Sequence, residues 1–279
     1  MNGIANSKTV LITGCSSGIG QCVATGLQKR GYRVFASVRQ EKDIEPLQKS
    51  GLESLQINLS DTASIEHGIE AVLSATGGKL YALFNNGAYG QPGAVEDLTR
   101  DTLRKQFETN VFGWQELTNL IIPVMRKQGY GRIIQNSSIL GFVSLAYRGA
   151  YNASKYAIEG LSDTLRLELK GSGIYISIIE PGPITSNFRQ NALVHLKNNI
   201  DLKNSVHAEN YQNTLKKLAQ EGPVVPFTLP AEAVLKKVIK ALEKKRPAER
   251  YYVTFPTHLF GLLKRILTTR ALDRMLTKV

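Results

Sequence analysis

A single doubly wound α/β domain is the architecture this sequence predicts, and three observations point to it. Short β-branched apolar runs alternate with longer helix-periodic stretches along most of the chain. The first of these runs passes directly into a glycine-rich turn and then a helix. The length, 279 residues, supplies one large core and leaves little for a second. Strands are expected at 9–13, 33–38, 54–58, 80–85, 132–137, 175–180 and 250–254. Most carry apolar side chains at successive positions, as strands covered on both faces do. Helices are expected near 18–30, 62–76, 101–128, 151–171 and 231–244. About seven strands then form a parallel sheet, with right-handed helical crossovers on both faces.

Composition narrows the function classes. Hydrophobic residues at 42% and charged residues at 21% are ordinary for a folded domain. No run of about 18 apolar residues occurs, so no transmembrane helix is expected. The polar stretch 1–8 leads straight into the first strand, and no signal peptide is expected there. Cys15 and Cys22 flank a turn and a helix start, which suits a reducing compartment, and the cytoplasm is the expected location. His67, His195, His207 and His258 lie far apart without metal-ligand spacing, so no metal is expected. Net charge is +12, and residues 231–279 hold twelve Lys/Arg against four Asp/Glu, a net of +8. That excess reads either as a solvated basic face or as attraction to an anionic surface. No nucleic-acid recognition module accompanies it, which leaves membrane lipid as the better anionic partner.

The stretch Thr13-Gly14-Cys15-Ser16-Ser17-Gly18-Ile19-Gly20 ends the first strand and opens the first helix. Gly14 can make the tight turn, Gly18 can allow close approach of a pyrophosphate, and Gly20 can let helix pack on strand. The helix start directs N–H groups and its positive dipole end at the anion. At the end of the second strand stands Arg39, with no carboxylate until Glu41. A carboxylate there would accept from a ribose 2′-hydroxyl, whereas an arginine can bind a 2′-phosphate. The sequence therefore favours NADP, with NAD as the alternative and a solvated strand-end arginine as the plain reading of Arg39.

Tyr151 and Lys155 are four residues apart, so on a helix they share a face, and Ser138 lies thirteen residues before the tyrosine. A free phenol titrates near 10 and carries protons poorly at neutral pH. A neighbouring ammonium favours the phenolate and brings the pair into range for general acid/base work. Tyr151 is the expected proton donor in carbonyl reduction and acceptor in alcohol oxidation, and Ser138 is placed to polarise the substrate oxygen.

Together these residues resemble the short-chain dehydrogenase/reductase family, with its Rossmann-type fold, from the N-terminus to about residue 254. The motif T-G-x-x-x-G-x-G falls on Thr13–Gly20, and the tetrad on Asn110, Ser138, Tyr151 and Lys155. The resemblance implies cofactor contacts along Gly14, Cys15, Ser16, Ser17, Gly18, Ile19 and Gly20, and at Arg39, Asn58 and Leu59. It implies others at Asn86, Gly87 and Ala88, through Tyr151 and Lys155, and along Pro181, Gly182, Ile184 and Ser186. It gives Lys155 a second bond to the nicotinamide ribose and Asn110 a water linking Lys155 to solvent, against a plain helix-kink or cap role for Asn110. It also implies a homodimer or homotetramer paired through the helices near 101–128 and 151–171. The wording of the first and last motifs is similar to the 17β-hydroxysteroid and retinol dehydrogenase-like branch. Three departures stand out. Gly87-Ala88 transposes the family's Ala-Gly, Asn58 replaces an aspartate whose role its side-chain carbonyl could keep, and Ser186 replaces a threonine.

The chain 186–229 breaks the strand-helix rhythm and mixes polar residues with Phe188, Leu193, Val194, Leu196, Tyr211, Leu215, Leu218, Val224, Val225 and Phe227. It follows a strand end on the ligand side of a parallel sheet, so it is expected to cover the substrate. Leu140, Val143 and Tyr147 add apolar surface beside Ser138 and Tyr151, and a hydrophobic aldehyde, ketone or alcohol of retinoid or steroid type is the expected substrate. Arg148 and Arg189 keep a carboxylate clamp open. In the tail 256–279, Leu259, Phe260, Leu262, Leu263, Ile266 and Leu267 are expected on one helical face, away from Lys264 and Arg265. Leu272, Met275 and Leu276 continue beside Arg270, Arg274 and Lys278, a basic amphipathic pattern that suits either a membrane interface or packing on protein. Two other functions compete. A non-catalytic NADP-binding regulator predicts a broken tetrad, and all four positions are filled. A nucleotide-sugar epimerase predicts a longer C-terminal region.

Overall fold

The computed structural model describes residues 8–220, 222 and 225–277. The lead-in 1–7, Val224 and Lys278 lie outside these described residues. Seven strands form one sheet: β1 (Thr9–Ile12), β2 (Arg33–Val38), β3 (Glu53–Gln56), β4 (Ala82–Asn85), β5 (Gly131–Asn136), β6 (Ile174–Glu180) and β7 (Arg250–Tyr252). Their order is β3-β2-β1-β4-β5-β6-β7, and every neighbouring pair is parallel. The helices are α1 (Gly18–Lys29), α2 (Ile44–Lys49), α3 (Thr62–Ala75), α4 (Arg100–Phe107), α5 (Gly113–Gln128), α6 (Gly149–Glu168), α7 (Phe188–Asn199), α8 (Ala208–Ala219), α9 (Glu232–Glu243), α10 (Phe255–Ile266) and α11 (Thr269–Leu276).

Alternation along each strand explains the two layers of helices. Val10, Ile12, Ala82 and Phe84 face α1 and α9, with Val23, Leu27, Val234 and Val238 packed on them. Leu11, Leu83 and Ile133 face the opposite layer, made by Ile65 of α3, Trp114, Leu117 and Ile121 of α5, and Ile158 of α6. Both faces are buried, which is why the strands read as continuous apolar runs. Strand order reverses between β1 and β4, so a crevice opens outside their carboxyl ends.

The structure departs from the sequence reading in four places. Helix α2 was not expected. It is six residues long, contains Pro46 and buries only Leu47, too little to leave a period. The helix expected over 101–128 is two helices, α4 and α5, joined by a π-turn at Glu108–Phe112. The segment 186–229 contains α7 and α8, packed around a third small core of Ala192, Leu196, Ile200, Tyr211 and Leu218. In α10 the apolar residues do not share one face. Thr257 and Gly261 make the buried side, Leu259, Phe260 and Leu263 are half-buried, and Leu262 and Ile266 point outward. The apolar arc of α10 is wider than the surface it packs on.

Candidate active site

The turn after β1 is built from backbone in close contact. Gly14 and Gly18 have φ of 71° and 58°, left-handed values that glycine adopts without strain. A Cβ on Gly14 would fall 2.5 Å from Gly87 Cα, and one on Gly20 would fall 2.1 Å from the Gly14 carbonyl oxygen. Thr13 Oγ1 accepts from the Asn86 and Gly87 amides, each at 2.9 Å, and Asn86 Nδ2 donates to the Thr13 and Gly14 carbonyls at 2.9 and 3.2 Å. Gly87 therefore stands where Gly14 comes closest. Ser17 caps no amide of α1 with its side chain, and Ser16 is exposed. A helix start with uncapped N–H groups beside a cradle that any Cβ would fill is suited to a pyrophosphate.

Around this turn the remaining positions fall as follows. Cys15 is fully buried in the core and its Sγ donates to the Ile12 carbonyl, so only its backbone borders the crevice. Burial pushes the Cys15 thiol far above its ordinary range, against a backbone hydrogen bond that lowers it. Arg39 is exposed at the end of β2, and its charge acts on Tyr89 and on His195 of α7, whose rings stack with centroids 4.1 Å apart. Asn58 Oδ1 already accepts from the Ser60 amide and hydroxyl, at 3.3 and 2.9 Å. The atom left for a ligand is thus the Nδ2 donor, not the carbonyl the sequence reading relied on. Leu59 is buried, and its side chain and carbonyl lie against Gly87 and Gly113. Ala88 is partly buried against the core on the α5 side.

At the other end, β5 stops at Asn136 and the chain turns through Ser137 and Ser138. Ser138 Oγ accepts the Leu140 amide at 3.1 Å, and Asn152 Nδ2 donates to the Leu140 and Val143 carbonyls at 3.2 and 2.8 Å, which fastens this turn to α6. Tyr151, in the first turn of α6, is 9% exposed. Burial pushes its phenol well above the ordinary tyrosine range, opposed by the facing Ser138 hydroxyl and by the charge of Arg148. Lys155 is 1% exposed, and its Nζ donates to the Asn136 carbonyl at 2.8 Å and lies 4.2 Å from the Trp114 ring centroid. Desolvation lowers its ammonium to about 7, partly offset by Glu159. The charge of Arg148 acts on the phenol, and Lys155 Nζ also lies beside it, 5.6 Å from the Tyr151 ring centroid.

Asn110 lies in the π-turn and is fully buried. Its Oδ1 accepts the Tyr89 amide at 3.1 Å, and its Nδ2 donates to the Tyr89 carbonyl at 2.9 Å and to Ser154 Oγ at 3.2 Å. Its side chain braces the loop after β4, so both of its donors are already engaged. Pro181 and Gly182 follow β6. The Pro181 carbonyl accepts the Ile139 amide at 2.8 Å, Ile184 pairs with Leu229 across an isolated bridge, and Ser186 lies over Gly18. The structure thus gathers Ser138, Tyr151, Lys155, the Pro181–Ser186 segment and the glycine turn around one crevice.

Sequence reasoning counted Phe188 among the substrate-covering residues but missed three contacts of this site. Phe188, at the start of α7, packs edge-on against Tyr151 at a centroid distance of 5.3 Å, and Gly90 leaves room for it, since a Cβ there would come within 2.8 Å of the Phe188 ring. Gln91 ties the same loop to α7 by accepting from Asn199 Nδ2 at 2.7 Å. Behind Lys155, Arg250 bonds Glu159, Glu180 at 2.7 Å and Asp163 at 2.6 Å, joining α6 to β6 and β7. Burial and then the Glu159 charge push Glu180 up to about 8. The only early signal for this cluster was a glutamate inside an otherwise apolar strand end.

Comparison with known proteins agrees with this geometry. The family model for short chain dehydrogenases matches residues 8–196. The Escherichia coli oxidoreductase YbbO is 38% identical over 276 residues, 99% of this chain and 96% of that protein. A 3-ketodihydrosphingosine reductase from Bacteroides thetaiotaomicron is 32% identical over 77% of each chain. Human retinol dehydrogenase 8 is 34% identical over 69% of this chain and 64% of its own. A short-chain dehydrogenase from Streptomyces avermitilis superposes with a TM-score of 0.76 at 26% identity, covering 96% of this chain and 98% of the other. One from Burkholderia phymatum, in complex with NAD, gives 0.76 at 25% identity, covering 92% of each. Glycine turn, buried tyrosine and parallel sheet thus coincide with family-wide similarity, and the chain belongs to the short-chain dehydrogenase/reductase family.

Proposed function

We propose that this oxidoreductase interconverts an apolar aldehyde or ketone and its alcohol with NADP(H), Tyr151 acting as general acid and base. The observation that carries the reading is the placement of Tyr151, in the first turn of α6, facing Ser138 just past the carboxyl end of β5. A dinucleotide would rest on Gly14, Ser16, Ser17, Gly18, Ile19 and Gly20, with Asn58, Leu59 and Asn86–Ala88 beside the adenosine and Pro181, Gly182, Ile184 and Ser186 beside the nicotinamide. Arg39, with no carboxylate at the end of β2, favours the 2′-phosphate of NADP. When bound, NADP(H) supplies or takes the hydride.

The residues of the chain manage the proton. A phenol held above its ordinary range by burial is protonated at neutral pH, which suits donation to a carbonyl oxygen in reduction. Ser138 donates a hydrogen bond to that oxygen as charge develops. Arg148 stabilises the phenolate left behind, together with Lys155, whose Nζ lies 5.6 Å from the Tyr151 ring centroid. A water that reprotonates the site would sit on the remaining Asn110 acceptor or its backbone.

Leu140, Val143, Tyr147 and Phe188 make the walls around Tyr151 apolar, and relatives named for retinol and for 3-ketodihydrosphingosine support a lipid-like carbonyl or alcohol. We read 186–229 as the cover over that substrate within one domain. Exposed Phe112, Leu161 and Leu167, at 51%, 40% and 67%, support a homo-oligomer paired through the π-turn region and α6. The unpaired Cys15 and Cys22 support a reducing, cytoplasmic setting. Among the described residues no helix is long and apolar enough to cross a membrane.

The test is Tyr151→Phe assayed on hydrophobic aldehydes and ketones by nicotinamide absorbance. Turnover falls at least a thousandfold or so, at the upper end of general-acid effects, while dinucleotide affinity stays within about twofold. Residual activity of a few per cent would remove Tyr151 from the proton step.

A further inference from the structure

Two features that catalysis does not use meet on one surface. On α10, Phe255, Leu259, Leu262 and Ile266 recur at i, i+4, i+7 and i+11, so they line a single stripe. Phe255, Leu262 and Ile266 are 56%, 57% and 66% exposed. The stripe points away from the face that packs, where Thr257 and Gly261 are buried and Lys264 Nζ donates to the Phe142 carbonyl. At the start of the stripe, Phe255 meets Phe227 with ring centroids 4.9 Å apart, and Phe227 is itself 55% exposed. Phe227 has φ of 61°, a left-handed value that a bulky residue rarely adopts.

The second feature is charge. A groove of about 590 Å³ opens beside the aromatic pair, lined by Leu229 and Val253, each two residues from one of the two rings. Lys236, Lys237 and Lys240 of α9 rim it, against one acid, Glu232. Arg265 is exposed on the flank of the α10 stripe. Large apolar side chains projecting from a cationic rim match a bilayer interface, where rings and leucines enter the acyl boundary and lysines meet phosphate. A second copy fits less well, because a two-fold contact would set the lysine rims against each other.

We propose that this face docks on the surface of an anionic phospholipid bilayer. The docked ring of Phe227 is two residues from Leu229, whose amide and carbonyl bond Pro183 and Thr185 at 3.1 and 3.0 Å. If the apolar substrate assigned above is correct, docking sets the bilayer two residues from the cofactor segment. The docking itself does not depend on that assignment.

The full-length protein is sedimented with phosphatidylcholine vesicles, with and without phosphatidylserine, at low and high salt. Binding is expected with the phosphatidylserine vesicles and is weakened by salt. The double variant Leu262→Glu, Ile266→Glu changes only exposed positions and should weaken binding at least about tenfold. Replacing Lys236, Lys237 and Lys240 with Gln should weaken it roughly a hundredfold, at about fivefold per lysine. Both variants keep wild-type turnover of a water-soluble aldehyde without vesicles. Tyr151→Phe keeps wild-type vesicle binding, which separates this result from the catalytic reading. Absence of binding at low salt overturns the proposal. So does wild-type binding by the Leu262/Ile266 variant, or a halving of its mass by light scattering, which would assign the face to a second copy.

Discussion

The crevice has two walls made in different ways. On the nucleotide side, Gly14 abuts Gly87 and Gly20 lies under the Gly14 carbonyl, so backbone meets backbone. On the side of 186–229, contact is made by side chains. Phe188 packs on Tyr151, His195 stacks on Tyr89, and α7 and α8 hold their own small core. A backbone wall cannot be resized without losing the turn, whereas a side-chain wall can be reshaped one residue at a time. One scaffold can then keep its dinucleotide while changing what it reduces.

The largest effect should come from Gly20→Ala. The new Cβ would fall 2.1 Å from a carbonyl oxygen and 2.7 Å from Asn86 Nδ2, and neither can retreat without opening the turn. Overpacking of this kind costs about 1–3 kcal/mol, and if the turn bears it, dinucleotide affinity falls up to roughly a hundredfold. Trp114, the only tryptophan of the chain, donates to the Gly87 carbonyl at 2.7 Å, so its fluorescence can follow the titration. Unchanged affinity would show that the turn yields, and the contrast between the walls would fail.

Arg39→Glu tests the same wall at its exposed rim. Loss of charge-assisted bonds to a 2′-phosphate should weaken NADP about ten- to a hundredfold. NAD should bind as before or better. Equal loss for both dinucleotides would make Arg39 structural.

Phe188→Ala probes the other wall. An edge-on aromatic contact is worth about 0.5–1.5 kcal/mol, so KM for an apolar carbonyl should rise roughly three- to tenfold. Dinucleotide affinity should not move. If it weakens as much as KM rises, the two walls are one unit.

The difference between the walls also decides what could be read in the sequence. Glycines at fixed offsets after a strand report a backbone constraint directly, so the turn, the seven strands and the positions of Ser138 and Tyr151 were legible. Phe188 over Tyr151 was not, because Gly90 and Phe188 are distant in sequence and only the fold makes one the space for the other. Helices α7 and α8 were hidden for a related reason. They bury few residues each, against a local core, and α7 leaves only a weak period. The side-chain roles of Asn58 and Asn110 depend on which partners claim each amide, and a motif carries no such information. Arg250, with its three carboxylates, depends likewise on α6 meeting β6 and β7.

The smallest effect concerns the ammonium of Lys155, buried on the nucleotide side and without a carboxylate in direct contact. Its pKa falls from 10.5 to about 7 on folding, because burial disfavours the charged form. The unfolded chain therefore binds more protons than the folded one between these values, and stability rises with pH across that window. Three groups oppose this outside a narrow range. Glu180, pushed up to about 8, holds its proton in the folded state and loses stability as pH climbs to that point. The thiols of Cys15 and Cys22, raised from 9.0, act in the same sense at higher pH. Between about pH 8 and 9 Lys155 should dominate, with a slope of up to about 1.4 kcal/mol per pH unit. For a chain of this size that is a rise of roughly 2–4 °C in the melting temperature of the ligand-free protein. Lys155→Met should remove most of the rise, leaving the smaller part from Lys237, which burial also lowers. A variant that kept it would show that the lysine keeps its charge on folding, better solvated than its 1% exposure implies, and that the nucleotide wall carries no such electrostatic cost.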